Sequence, residues 1–146
     1  LHKDSRKAIC VIDLDTVMPG LSAYDFGDAI RYGASTAEED EVDQSHVEID
    51  AERFRTFTRG YMEACPSLTD LELKMLPQGA FVLSLEIGIR FLTDYLKGDK
   101  YFAISRPQQN LDRCRTQLKL VYDIEQKWEL LQQICMEEAA VLGRNI

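Results

Sequence analysis

Val11-Ile-Asp-Leu-Asp-Thr-Val-Met-Pro-Gly-Leu-Ser-Ala-Tyr-Asp-Phe-Gly-Asp28 is the stretch on which the reading of the fold turns. It begins in the apolar run Lys7 to Leu14, whose β-branched residues predict a strand. Pro19-Gly20 forces a turn, and Ser22 is placed to cap a helix from about Tyr24 to Tyr32. The strand ends in two carboxylates, Asp13 and Asp15, with Asp25 and Asp28 following after the turn. A carboxylate at a buried strand end is well placed to hold a hard cation such as magnesium, which takes a few carboxylates plus substrate phosphates. Asp13 and Asp15 reach one ion only if the chain turns between them, because successive side chains on a strand alternate faces. The plainer alternative is that these acids cap the next element.

A single strand cannot satisfy its own backbone hydrogen bonds. Lys7–Leu14 is therefore expected to be one arm of a hairpin whose other arm lies outside this chain. Its free edge could instead pair with a second copy, giving a homodimer.

C-terminal to that segment the pattern is helical. Ala34 to Val47 is polar and acidic, and reads as a surface loop. Asp50 caps a helix through Phe54, Phe57, Tyr61 and Met62, ended by Pro66. Thr69 with Glu72 forms a capping box, and the helix it starts is restarted at Pro77. Gly79 to Leu96 is apolar nearly all round, as a central helix would be, and Gly98-Asp99 ends it. Pro107 opens the last helix. One inner stripe on it runs through Leu111, Cys114, Leu118, Val121, Ile124, Trp128, Leu131 and Cys135. The tail after Leu142 is expected to fray. One strand followed by about five helices makes the chain mainly α, the helical part of an α+β domain.

The 146 residues suffice for one core, not for two full-sized ones. The net charge of −8 argues against holding nucleic acid by phosphate neutralisation, and against docking on an anionic membrane. Ala80–Leu96 is broken by Glu86, Arg90 and Asp94, so it predicts no transmembrane span. No signal peptide is read. Cys10, Cys65, Cys114 and Cys135 form no CxxC pair, and His2 and His46 lie near no cysteine pair; reduced thiols and a cytoplasmic setting are expected.

The Val11–Asp28 segment resembles the corresponding segment of the aminoglycoside phosphotransferase and choline kinase superfamily, which has a protein-kinase-like fold. Leu85-Glu-Ile-Gly-Ile-Arg-Phe-Leu-Thr-Asp-Tyr-Leu96 and Asn110-Leu-Asp-Arg-Cys-Arg-Thr-Gln117 are similar to its N-acetylhexosamine 1-kinase branch. The resemblance covers nearly all of residues 1–146, but only the back part of the family's length. It implies the helical, substrate-binding portion of a C-terminal lobe, with ATP as co-substrate and Mg2+ as metal. Asp13 is then the metal ligand and Asp15 its helper. Asp25-Phe26-Gly27 spells the magnesium motif of protein kinases, but it begins a helix instead of closing a strand. Asp25 is accordingly expected to be structural, bonding backbone amides at a helix start.

The family's catalytic base, in a His-x-Asp loop, and its nucleotide-binding lobe do not precede Lys7. No catalytic residue is assigned within this chain, and the isolated chain is expected not to turn over substrate.

Glu86, Arg90 and Asp94 share one face of the apolar helix, at i, i+4 and i+8. The resemblance sets this face at the sugar site, with Arg90, Asp94 and Tyr101 holding the sugar and Tyr95 adding stacking surface. The competing reading is a salt-bridged face packed against neighbouring helices, preferred for Glu86. Arg113 and Arg115 either reach the cleft or pair with acidic neighbours; Trp128 reads as core. Within the superfamily, choline, homoserine, methylthioribose and aminoglycosides are alternative substrates. A non-catalytic helical binding or assembly module is the alternative outside it.

Overall fold

A computed structural model describes residues 9–12, 14, 17–144 and 146 of the protein. Its α-helices, in chain order, are α1 (Ser22–Gly33), α2 (Ala51–Ala64), α3 (Asp70–Lys74), α4 (Leu76–Leu96), α5 (Gln109–Gln126) and α6 (Trp128–Val141), with one 3-10 turn at Gln44–His46. The fold is mainly helical, as the periodicity predicts.

α4 is the axis of the molecule. It packs along α1 and, on another side, along α5, while α2 packs on α6. The main core gathers Phe26 and Ile30 of α1, Phe54 of α2, Leu76 of α4, Leu120 and Ile124 of α5, and Leu131 and Ile134 of α6. A second, smaller cluster joins Ile87 and Phe91 of α4 to Cys114 of α5, with Leu92 and Phe102 packed on it. The N-terminal half of α4 and the C-terminal half of α5 thus face the main core, and their other halves meet in the small cluster.

Two glycines set how closely α1 and α4 approach. A Cβ on Gly79 would lie 1.8 Å from the Ala23 carbonyl oxygen, and one on Gly27 would lie 2.3 Å from the Gly79 carbonyl group. Only residues without a side chain permit backbones to meet this closely.

The capping predictions at Asp50 and Thr69 agree with the structure. Asp50 accepts from the amides of Glu52 and Arg53. Thr69 and Glu72 exchange both bonds of the capping box. Pro77 stands in the first turn of α4, after a one-residue break at Met75.

Several expectations are corrected. No strand forms over Ile9–Ile12 or at Leu14, and the described residues hold only one isolated bridge, between Ser35 and Ile49. Ile9, Val11 and Ile12 are 67%, 78% and 77% exposed. No segment here pairs with them, so their amides and carbonyls gain nothing from an extended ladder. The rest of the predicted strand lies outside the described residues.

Ser22 is the first residue of α1, not its cap, which is Leu21. Its hydroxyl donates to Glu72 instead, and its carbonyl accepts from the Tyr61 hydroxyl. The Ala34–Val47 segment is more than a surface loop. Ala34 and Val47 are buried, and its acids are anchored: Glu39 by Arg31, Asp40 by Arg106 and Gln109.

Pro107 does not open α5. A turn with Gln108 in the left-handed region (φ 65°) intervenes, and the helix starts at Gln109. Nor is the last helix single. Lys127 separates α5 from α6, and its ammonium donates to the Ile49 carbonyl while pairing with Asp123 and Glu48. Asp123 in turn accepts from the Ile49 amide at 2.7 Å. The break lies where these side chains grip the Ile49 segment. Leu118 is 42% exposed, off the inner stripe. The tail is also tied down: Arg144 donates to the Leu68 carbonyl and pairs with Asp70, and Ile146 packs on the core.

Burial pushes the Cys135 thiol up to about 12 and raises Cys114 as well. Cys10 is exposed. Thiolate is the reactive form. Maleimide under native conditions is expected to label Cys10 rapidly and to spare Cys114 and Cys135 until the protein is unfolded, as counted by mass spectrometry.

Candidate functional site

The C-terminal half of α4 and the loop that follows it build a small polar pocket. Arg90, Thr93, Asp94, Lys97, Tyr101 and Phe102 line about 340 Å³. The loop reverses at Gly98 (φ 83°) and Asp99 (φ 54°), two consecutive left-handed residues. Glycine adopts this conformation freely and Asp more readily than most others. The reversal brings residues 100–102 back against the helix end.

Arg90 lies over both returning rings, its guanidinium carbon 5.8 Å from the Tyr101 centroid and 5.5 Å from that of Phe102. Phe102 packs edge to face on Tyr101 and tilts against Phe91, with centroids 4.8 and 4.7 Å away. The three sequence-predicted substrate residues are therefore brought together. Tyr101 remains 74% exposed. Arg90 meets Glu86 only at 3.7 Å, with both side chains about half exposed. Such an exposed pair contributes roughly 0–1 kcal/mol and does not fix the Arg90 guanidinium. Glu86 pairs with Arg90 as expected, but it is exposed at the surface and not packed against neighbouring helices. Tyr95 is not in the pocket lining.

Asp94 is different in kind. It is 5% exposed. Its carboxylate accepts the amides of Lys100, Tyr101 and Phe102 at 2.9–3.0 Å, and the Asn110 side-chain amide at 3.1 Å. Desolvation pushes its carboxyl pKa up, but those three amides and the nearby Lys97 charge outweigh it and hold the group below the usual range. Asp94 is thus an ionised anchor for the loop, its oxygens taken by protein donors. The sequence marked it correctly as exceptional in an apolar helix, but the donors it meets come from residues 6 to 16 positions downstream, which helical spacing does not reveal.

Asn110 was missed. It is fully buried at the start of α5, and its amide group donates to both Asp94 and Asp99. Its carbonyl oxygen accepts from Arg113. Arg113 also donates to the Ala103 carbonyl, approaches Glu39 at 3.6 Å and covers the Phe91 ring at 5.4 Å. It pairs with its neighbours and does not line the pocket. Arg115 pairs with Asp112. Trp128 is partly buried, edge-on to Phe81.

Asp25 accepts from the Tyr61 hydroxyl at 3.3 Å. Its partner is a side chain from α2, where a backbone amide was expected, and its position in the first turn of α1 suits the helix dipole. Burial, reinforced by the Asp25 charge, raises the Tyr61 phenol to about 12. Asp13 and Asp15, the predicted metal ligands, lie outside the described residues. Among the described residues no three His, Cys, Asp or Glu side chains converge on a metal position. No described helix is long and apolar enough to cross a membrane.

A larger groove of about 720 Å³ runs between α1 and α2, walled by Ile30, Phe57 and Tyr61 with Gly33 and Gly60 leaving room. Its wall is mostly apolar, whereas the Arg90 pocket is lined by Arg90, Thr93, Asp94 and Lys97 beside its two rings. Comparison of the sequence with models of known protein families returns no match.

Proposed function

We propose that this chain is the helical, substrate-binding portion of an ATP- and magnesium-dependent small-molecule kinase, acting on an N-acetylhexosamine or a related sugar. The observation that carries this reading is the pairing of Arg90 with Tyr101. Arg90 belongs to the Leu85–Leu96 segment that resembles the N-acetylhexosamine kinase branch, Tyr101 lies in the loop between the two resembling segments, and across the reversed loop they form one polar, aromatic-floored pocket. A forked guanidinium suits hydroxyl and phosphate oxygens, and an exposed ring offers the flat apolar face of a sugar a surface.

In this reading Asp13, assisted by Asp15, holds magnesium, which when bound neutralises the nucleotide phosphates. The nucleotide cradle and the base that orients the sugar hydroxyl are supplied from outside this chain. The enzyme is a cytoplasmic phosphotransferase with a sugar and a nucleotide as its partners.

The test is phosphoryl transfer by the chain joined to its nucleotide-binding lobe, across a panel of N-acetylhexosamines, choline, homoserine, methylthioribose and aminoglycosides. N-Acetylhexosamines are expected to be preferred. Arg90→Ala is expected to raise KM for the sugar about tenfold, the effect of losing about 1.4 kcal/mol of binding. Preference for an amino alcohol, or an unchanged KM, overturns the sugar assignment.

One observation favours a second reading, a non-catalytic assembly module. Ile9, Val11, Ile12, Leu14, Val17, Met18 and Leu21 are all exposed in one stretch of chain. Exposed apolar surface of this extent marks an interaction site. Concentration-dependent dimerisation of the isolated chain, abolished by Val11→Asp, would support that module.

A further inference from the structure

We infer that Asn110 and Asp94 act as one positioning unit for the Arg90–Tyr101 pocket: Asn110 is buried behind it, and the Asp94 carboxylate at its wall is occupied by protein donors. The inference rests on the sugar-site reading above for the identity of the ligand, but its geometry stands independently.

Asn110 is 0% exposed and uses three of its four hydrogen-bonding positions. One N–H secures Asp94 and the other secures Asp99, the left-handed residue at the tip of the reversal. Asp94 then gathers three successive amides, so Lys100, Tyr101 and Phe102 are pinned to one carboxylate. From Asn110 the chain of contacts continues through Arg113 to Phe91, then Phe102, and ends at Arg90. The two ends of this network, Arg90 and Tyr101, both line the pocket. The loop between α4 and α5, which reverses at Gly98 and Asp99, has many alternative conformations. A buried amide with fixed donors and acceptor selects the one that puts Tyr101 beneath Arg90.

Solution NMR of this chain tests the unit, with N-acetylglucosamine as the probe. In the unaltered chain the Arg90 side-chain protons are expected to show ring-current shifts from Tyr101 and Phe102. Asn110→Ala is expected to abolish those shifts and to accelerate hydrogen exchange at the amides of residues 100–102. The remaining spectrum should persist, and affinity for the sugar should fall about tenfold or more. Asp94→Asn keeps the volume and turns one acceptor into a donor facing donors, so it is expected to do the same; it replaces Asn110→Ala should that variant fail to fold. Unshifted Arg90 resonances in the unaltered chain, or ring-current shifts and exchange rates untouched in both variants, overturn the positioning unit. No sugar binding by the unaltered chain, with the NMR signatures present and lost as described, supports the unit and counts against the sugar reading alone.

Discussion

Gly79→Ala is expected to lower Tm by about 10 °C or more, corresponding to roughly 3 kcal/mol in a chain of this size. The added methyl would sit 1.8 Å from the Ala23 carbonyl oxygen and 2.6 Å from its carbonyl carbon. Both are backbone atoms in the middle of a helix contact, so no rotamer change relieves the clash. α1 and α4 must move apart, and that separation withdraws Phe26 and Ile30 from the main core. Gly27→Ala is expected to behave alike, since its methyl would meet Gly79 at 2.3 Å. Gly60→Ala is the internal control. It lies inside α2 with nothing within 4 Å of the added carbon. Restricting the unfolded chain and improving helix propensity are expected to raise stability there by about 0.5–1 kcal/mol. Thermal unfolding followed by circular dichroism checks all three. An unchanged Tm for Gly79→Ala would mean that α1 and α4 do not approach as closely as described.

Glu138→Gln carries the second large effect, a loss of about 2 kcal/mol and a Tm lowered by several degrees. Glu138 is 1% exposed on α6. Its two oxygens accept from Arg59 at 2.6 and 3.1 Å and from Arg55 at 2.9 Å, joining α6 to α2. A neutral amide fills the same space but presents an N–H2 group to guanidinium donors. Because Arg55 and Arg59 remain partly in water, the cost stays below that of a fully buried pair. The Arg59 hydrogen bonds, followed by those of Arg55, hold the Glu138 carboxyl below its ordinary value against the opposing effect of burial. A folded pKa below the unfolded one stabilises the protein above the unfolded value of about 4.3. That contribution is lost as pH falls through the folded value. The Tm difference between the unaltered chain and Glu138→Gln is therefore expected to be full near neutrality and to shrink below about pH 4. A difference independent of pH would remove the ion pair as its cause.

Glu138 also shows where sequence reasoning stops. In Glu137-Glu138-Ala139 it reads as part of a solvated helix face, and only the pairing of α2 with α6 supplies the two arginines. The helices themselves were legible, because Asp50, Thr69 with Glu72, Pro77 and Gly98 act within one turn of their own position. The division of α5 from α6 was not. The apolar stripe runs through Lys127 without interruption, neither Gly nor Pro marks the place, and the cause is a contact with Ile49, about 80 residues away in sequence. The described residues of the predicted N-terminal strand, 9–12 and 14, form none for the related reason that pairing is a property of two segments. Of the candidate pocket, Arg90, Asp94 and Tyr101 were legible as residue types out of place in their surroundings. The division of labour among them was not, since it depends on Asn110, whose role appears only when the loop closes.

The two hydrophobic clusters give the molecule a divided tolerance to change. Along both α4 and α5 the buried polar residues Ser84 and Gln117 stand between the main core and the Ile87–Phe91–Cys114 cluster. Residues at the pocket end rest on the small cluster, and substitutions there leave Phe26, Phe54, Leu131 and the rest of the scaffold in place. Substitutions can thus alter the shape of the pocket end while the larger body of the fold stays constant.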